Sequence, residues 1–572
     1  MGARNLGEIV AISGVDGLIC FIPAILSGKH RPMQLPSAIA PLRHKLFRLL
    51  WSTNLVVSVG VWLQNTGAGW LMTSLAPNAL MVSMVQMATI LPMLLLALPA
   101  GALADIVDRR LFIMLTQGWM LLAAAGLAVL TYMGLTTAPL LLGFTFAIGL
   151  GQAMNSPAWG SVMAESVPRH DLVQAITLNG IGFNLARAIG PAFAGVLVLA
   201  GGPGLAFGLN ALSYLAVIVA LLSWHRRKRT PALPREQLGA AMRAGVRFVQ
   251  HTPVMQAAMV RTTSFFFAAA APWAMLPLIV KQQLGMGAGT YGLLLGLMGA
   301  GGVTSGLLLP QIRARLSRGN TVFASGVISC GGMTLVGMAS HWLIAAIGMV
   351  LFGIGWVAAS AVAQGTAQMA APPWVRSRAL AIYQLGFNFA MVLGTFFWGW
   401  LGTVIGLAPS MFAAAATGLA LCTLARRADI DAVPLVVQPA PLEARPTPEA
   451  VDPELVGLVT EARGRVMEWQ QYRIDQSEHD QFLAAMVDVR DVRGRAGAVG
   501  WQLYEDIAHA DGWLEVWTVE NWTDHLREAT RMNAADHAVL AHAMAFHRGE
   551  TIPPSRFLSV APHRLPSTAL AK

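Results

Sequence analysis

Between residues 49 and 425 apolar positions run on for twenty or more residues at a time. Neither a period of two nor a single helical stripe describes them. Runs of that length match the roughly 30 Å hydrocarbon core of a bilayer. Twelve are read, at 50–74, 80–104, 111–133, 138–163, 173–200, 204–224, 254–280, 288–311, 320–339, 342–368, 377–403 and 405–425. The connections are short except 225–253, which parts the runs six and six. There Leu238, Met242, Val246 and Val249 recur at helical spacing among Arg235, Arg243 and Arg247. That pattern predicts a basic amphipathic helix lying on the inner membrane surface.

After Arg427 the pattern changes. Six prolines within 432–453 predict a stiff, extended linker. Beyond it, Val466–Ile474 alternates as a strand does, and Ser477 with Asp480 predicts a capped helix over 478–490. Gly500–Asp506 and Trp513–Glu520 read as a hairpin, Asp524–His547 as a helix, and Arg556–Val560 as a last strand. The order βαββαβ is the ferredoxin-like one. The predicted fold is thus an all-α membrane protein of twelve transmembrane helices in two six-helix halves, with a small C-terminal α+β ferredoxin-like domain. The divisions are an N-terminal extension (1–48), a first half (49–224), a basic loop (225–253), a second half (254–427), a Pro-rich linker (428–454) and the small domain (455–560).

Composition supports lipid exposure, because only 12% of the 572 residues are charged against about 25% in soluble domains. Charge placement adds topology. Arg109 and Arg110, Arg169, the group from Arg226 to Arg247, then Arg313, Arg315 and Arg318, then Arg376 and Arg378 fill every second connection. The alternate connections, near Pro77, Pro139, Gly201, Ser340 and Ala408, carry no Lys or Arg, and Lys281 alone breaks the pattern. Basic connections stay inside, so both ends of the bundle and the C-terminus are expected in the cytoplasm of a bacterial cell, with the bundle in its inner membrane. The same bias accounts for much of the net charge of +10, so no nucleic-acid partner is inferred. Cys20, Cys330 and Cys422 lie far apart in apolar segments, form no disulfide or metal spacing, and read as packing residues. The apolar run 9–26 carries Asp16 and little preceding positive charge. It is read as a non-spanning extension, with Met33 a second candidate start.

The halves echo each other. Gly182-Phe183-Asn184 with Gly190 recurs as Gly386-Phe387-Asn388 with Gly394, an offset of 204 residues, and Gly101 recurs as Gly306 at an offset of 205. Echoes at nearly one offset in matching positions argue for duplication. Secondary transporters built this way hold substrate between the halves.

The connection after the second run reads Gly101-Ala102-Leu103-Ala104-Asp105-Ile106-Val107-Asp108-Arg109-Arg110. It resembles the signature of the major facilitator superfamily, departing from it at Ile106 and Asp108. Its Asp-x-x-Asp-Arg-Arg form, with Asn184-x-x-Arg187-x-x-Gly190-Pro191, resembles the branch of enterobactin-type siderophore exporters and transmembrane secretion effectors. The resemblance implies a transporter exporting a small amphipathic compound, siderophore- or drug-like, by proton antiport, with Gly101, Asp105, Arg109 and Arg110 as a gating latch. The alternatives are an importer or facilitator of the same fold, or a membrane-tethered sensor or enzyme acting through the tail. The tail run Glu520-Asn521-Trp522-x-x-His525-Leu526-Arg527, with Asp536, is similar to the antibiotic-biosynthesis-monooxygenase-like domain that ends many secretion effectors. Those monooxygenases are usually dimeric, so the likeness implies a homodimer through the tail. With no nucleophile or metal cluster in its sequence, the tail is read as a regulatory or dimerising module rather than an enzyme.

Arg187 is the sole basic residue well inside the first six runs. At mid-depth it costs roughly 3 kcal/mol to insert, so it should face the bundle interior, binding substrate or bonding to carbonyls and Asn side chains. Gln64, Asn65, Asn155, Asn184, Gln364, Gln384 and Asn388 are candidates for the substrate path, each also fit to bond neighbouring helices. Trp62, Trp70, Trp398 and Trp400 could line the same pocket, and Arg261 is read as snorkelling to the surface. Acids between 50 and 425 are only Asp105, Asp108, Glu165, Asp171 and Glu236, leaving Asp105 and Glu165 as proton-coupling candidates. No phosphate-binding Gly-rich loop, catalytic nucleophile or metal-ligand spacing is present. No cofactor or metal is expected, and the partners are a small-molecule substrate and the bilayer.

Overall fold

The structure, a computed structural model, describes residues 37–106, 108–222, 238–372, 374–431, 465–550 and 555–558. Met33, residues 223–237, nearly all of the Pro-rich linker, and the side chains of Asp105 and Glu165 lie outside the described residues.

Helices α1 (Lys45–Leu75), α2 (Ala79–Ile106), α3 (Arg109–Tyr132), α4 (Ala138–Glu165) and α5 (Leu172–Leu222) pack together. A second set comprises α7 (Pro253–Leu278), α8 (Ala288–Arg315), α9 (Arg318–Gly337), α10 (Trp342–Ala370), α11 (Arg376–Ile405) and α12 (Leu407–Leu424). Among the described residues, eleven helices are long and apolar enough to cross a membrane. The predicted fifth and sixth runs form one element of 51 residues, α5. A straight helix of that length would reach on the order of 75 Å, far more than a bilayer's apolar thickness. Gly202 breaks it instead, at φ +73, just before Pro203.

Helix starts follow local chemistry. Asp108 accepts hydrogen bonds from the amides of Arg110 and Leu111 and so caps α3, which gives the signature's departing residue a physical role. Asp431 likewise receives the amides of Arg318 and Gly319 at the start of α9. Arg261 does not snorkel. It is 6% exposed and donates to the carbonyls of Gly319 (2.8 Å), Ala428 (2.8 Å) and Arg426 (3.3 Å). Carbonyls that end one helix and begin another offer a closer partner than the bilayer surface.

The tail contains β1 (Val466–Arg473), α13 (His479–Ala496), β2 (Gly500–Glu505), β3 (Gly512–Val519), α14 (Trp522–Arg531), α15 (Ala534–Ala545) and β4 (Ser555–Leu558). The antiparallel sheet has the order β2-β3-β1-β4. The expected helix over 524–547 is two, because Asn533 caps a new start in a reciprocal box with Asp536. Asp475, rather than Ser477, accepts the bonds ahead of α13. Phe482, Met486 and Val489 of α13 pack on Tyr472 and Trp513, leaving Met467, Tyr504 and Phe557 exposed on the opposite sheet face.

Helix α6 (Leu238–Gln250) is amphipathic, as its spacing predicts. Its buried residues are Ala244, Gly245, Phe248 and Val249, while Val246 is 44% exposed. Phe248 meets Trp374 edge-on, and a Cβ at Gly245 would come within 2.9 Å of Arg378 Cβ. The apolar face is therefore spent on α11 and its preceding loop, which changes the surface-lying expectation. The tail grips the other side. Arg243 makes a two-point ion pair with Glu520 (2.8 and 3.2 Å), and His251 Nδ1 lies 3.0 Å from Asp491. Arg495 donates to the His251 carbonyl, and Arg531 stands 4.8 Å over the Trp374 ring.

Candidate functional site between the helix sets

The two helix sets meet along α5 with α8 and along α2 with α11. Small residues let backbones touch there. A Cβ at Gly292 would lie 2.6 Å from Gly195 Cα, and one at Gly299 would lie 2.6 Å from Ala188 Cα. These contacts begin at the end of the bundle away from the basic connections. Gly399 of α11 meets Ser83 of α2 at that same end. Lys281 sits there too, in a π turn (Ile279–Gln283) following α7. Its ammonium donates to the Thr73 carbonyl (3.1 Å) and to Ser74 Oγ (2.9 Å), across the join. The break in the charge pattern is thus a tie between the sets. Toward the basic end, a Cβ at Gly180 of α5 or Gly306 of α8 would meet nothing within 4 Å.

Where the close packing stops, a narrow hollow opens, with room for about one water. Trp62 of α1 and Arg187 and Pro191 of α5 line one side, and Trp273, Leu295, Met298, Gly299, Trp356 and Val357 line the other. Gly190 makes room for Trp62, since a Cβ there would come within 2.6 Å of the tryptophan's own Cβ. The indoles form a connected wall, Trp62 to Trp273 at 6.0 Å and Trp273 to Trp356 at 5.6 Å between ring centres. Phe266 and Phe352 back Trp356. The buried Trp273 Nε1 has no hydrogen-bond partner. Arg187 donates to Asn184 Oδ1 at 2.7 Å, and Asn184 donates in turn to the Gly180 carbonyl.

The other sequence candidates divide. Gln384 donates to Asn388 at 3.4 Å, within α11. Gln64 is buried and accepts from Asn210 of α5, and Asn155 accepts from Thr116 of α3, so both join helices of the first set. Gln364 is exposed and Asn65 half-buried, and neither lines the cavity. Trp398 is core, donating to the Phe267 carbonyl, Trp400 is 45% exposed, and Trp70 stacks on Tyr291. Arg110 donates to the carbonyls of Leu221 and Leu222 at the end of α5, inside its own helix set. Trp273 and Trp356 were missed, because a tryptophan within an apolar run gives the same local signal whether it packs or lines a hollow.

A second polar cluster lies under the tail sheet. His525 Nδ1 is 2.7 Å from Glu468, and with Glu528 these three side chains place ligand-type atoms within 4.8 Å of one another. Strand and helix bring together residues 57 positions apart, which residue spacing does not reveal. Arg493 pairs with Glu515 (3.0 Å) and Glu528 (3.3 Å), and Arg556 with Glu468 (3.5 Å). Burial works to raise the Glu468 carboxyl, but the His525 hydrogen bond and neighbouring cations hold it below its ordinary value. Burial pushes Glu528 up to about 7. Arg493 and Arg556 already face these carboxyl groups and Glu528 keeps a proton, so the cluster serves the tail's interior.

Comparison with known proteins accords with this architecture. The Staphyloferrin A transporter of Staphylococcus aureus (strain NCTC 8325 / PS 47) is 23% identical over 301 residues, covering 52% of this chain and 74% of that protein. A bacterial homologue of the human lysosomal transporter Spinster, in an inward-facing and unoccupied conformation, has a TM-score of 0.55 at 14% identity, covering 68% of this chain and 98% of its own. A bacterial homologue of the iron transporter ferroportin has a TM-score of 0.52 at 15% identity, covering 67% of this chain and 97% of its own. The family described as transmembrane secretion effector matches residues 36–563. The chain belongs to that family and is a multi-pass membrane transporter of the major facilitator type.

Proposed function

We propose that the protein exports a small amphipathic compound, siderophore- or drug-like, across the bacterial inner membrane by alternating access coupled to proton antiport. The observation that carries the proposal is a cavity where two helix sets meet, walled by tryptophans and holding Arg187. A site shared by two bodies that rock about it can face each side in turn. The contacts from Gly195–Gly292 to Ala188–Gly299, and the Lys281 tie, favour a state closed at the end away from the basic connections. The similarity to a staphyloferrin A transporter favours a siderophore-like cargo. In this reading the chain crosses the membrane twelve times, α5 supplying two crossings, and the basic connections with the C-terminal tail lie in the cytoplasm.

Asn184 and Arg187 meet the substrate, with Gln384 and Asn388 further along the path. Gly101, Asp105, Arg109 and Arg110 latch the opposite state, and Asp105 and Glu165 carry the coupling protons. The tail, ferredoxin-like in strand order, regulates and dimerises through its exposed sheet face and has no enzymatic role.

The test is accumulation of fluorescent drugs and siderophore-like compounds in energised cells with and without the protein. Lower accumulation, relieved by a protonophore, is the expected result. Higher accumulation would make the protein an importer. A change in accumulation that a protonophore leaves untouched would end the antiport assignment. The scarcity of acids in the spanning helices favours that last reading over import.

A further inference from the structure

We infer that the cavity selects a ligand carrying both a carboxylate and a flat, aromatic or conjugated face, the anion held by Arg187 and Trp273 Nε1. This rests on the reading of the cavity as the substrate site, widened to take its ligand as the two helix sets rock apart.

The argument begins with a charge census. From Lys45 to Arg427 the sequence has five acids, Asp105, Asp108, Glu165, Asp171 and Glu236, all beside basic connections. None falls between Leu238 and Arg427, across the second helix set. Arg187 stands about midway between Leu172 and the break at Gly202, roughly 20 Å along the helix from Leu172. No acidic position between Lys45 and Arg427 lies near that depth. Its amide neighbour Asn184 offers a dipole and no charge. A guanidinium in a low-dielectric setting is stabilised by a counter-anion, and its fork matches a carboxylate's two oxygens. Among the described residues that line the cavity none is acidic, so the ligand is the source of the anion.

The second observation is independent of charge. Trp273 Nε1 is a buried donor without an acceptor, on a residue that lines the same hollow. An unmet donor beside an unmet cation specifies an acceptor of negative charge. The rest of the wall specifies the remainder of the ligand. Trp62, Trp273 and Trp356 present indole faces and edges at 5.6 to 6.0 Å spacing, and Met298 adds a polarisable thioether. Such a wall favours a flat apolar group over a compact, fully hydrated polyanion.

The experiment uses the full-length protein purified in detergent, with indole fluorescence and thermal stability as readouts. Four probes separate the features: 1-naphthoate (anion and flat face), 1-naphthamide (flat face without charge), 1-naphthylmethylammonium (flat face with the wrong charge) and citrate (anion without a flat face). Naphthoate is expected to bind at least about tenfold more tightly than the other three, one tenfold step being about 1.4 kcal/mol. Arg187→Gln is expected to abolish that preference and Arg187→Lys to keep part of it. Trp273→Phe, which keeps an aromatic face and removes the N–H, should weaken naphthoate several-fold and affect naphthamide much less. Equal binding of naphthoate and naphthamide, citrate matching naphthoate, no binding of any probe to folded wild-type protein, or an unaltered preference in Arg187→Gln would each overturn the assignment. Binding is read without transport. A positive result beside unchanged cellular accumulation would defeat the export reading alone, and the converse would defeat the ligand class alone.

Discussion

Arg187 and Arg261 are both arginines within apolar helices, yet their surroundings give them different work. Arg261 has three carbonyl acceptors and almost no exposure, so its charge is committed to joining α7, α9 and the end of α12. Replacing it with alanine should cost about 3 kcal/mol, from charge-assisted bonds lost and carbonyls left unmet. The thermal midpoint of the purified protein would fall by several degrees, and an unchanged midpoint would show that the bonds carry little. In the tail, Glu528 gives a pH prediction. Its folded value of about 7 lies above the ordinary Glu value near 4.3. The folded state therefore holds a proton that the unfolded state releases, and the tail loses stability as pH rises from about 4.3 through 7. Glu528→Gln should remove that loss. Amide exchange in β3 and α14 of the full-length protein, followed from pH 5 to 8, would become flatter, and an unaltered pH profile would assign the dependence elsewhere.

The joins between elements determine which ends of the bundle meet. Lys281, placed by the π turn after α7, is the tie across the far end. Lys281→Met should weaken that end by roughly 1 kcal/mol, the net worth of a partly hydrated bond. Labelling of a cysteine placed at Thr403, in the crevice at that end which it shares with Gln282 and Pro409, should speed up several-fold, and an unchanged rate would mean that the glycine contacts alone close it. Much at this scale was legible beforehand. The bilayer imposes a length on every crossing, so the runs in the sequence anticipated the helices, and an arginine inside one could hardly be missed. Contacts between elements were less legible. Gln64 meets Asn210 across 146 positions, a relation that no local pattern carries. In β1 the helix-covered face holds Val466, Glu468, Gln470 and Tyr472, as polar as the face it turns from, because His525 meets Glu468 and Glu515 accepts from the Tyr472 hydroxyl. Polarity alone does not tell the two faces apart. The eleventh and twelfth expected runs matched single helices, whereas the fifth and sixth were joined end to end, because a glycine at positive φ can break direction without a polar loop.

At the scale of the whole molecule, the tail is fastened to the bundle largely by charge. The Arg243–Glu520 pair has two contacts, but Arg243 is 59% exposed, which limits it to at most about 1 kcal/mol. The contact should accordingly loosen in high salt. Arg243→Glu should increase amide exchange of α6, and the double exchange with Glu520→Arg should restore protection. If the double variant stays as loose as the single, this pair does not fasten the tail.

These attachments, through α6, His251 and Trp374, belong to the second helix set or to the segment entering it. Nothing in them requires the tail to follow the first set. The tail then resembles an outrigger bolted to one hull, and its hairpin tip, where Ile507 stands wholly in solvent, sweeps the widest arc when that hull tilts. A dye at Ile507 paired with one on the basic end of α3 would turn a small rotation at the cavity into a large change in distance, giving a goniometer for single turnovers that leaves the Arg187 cavity untouched.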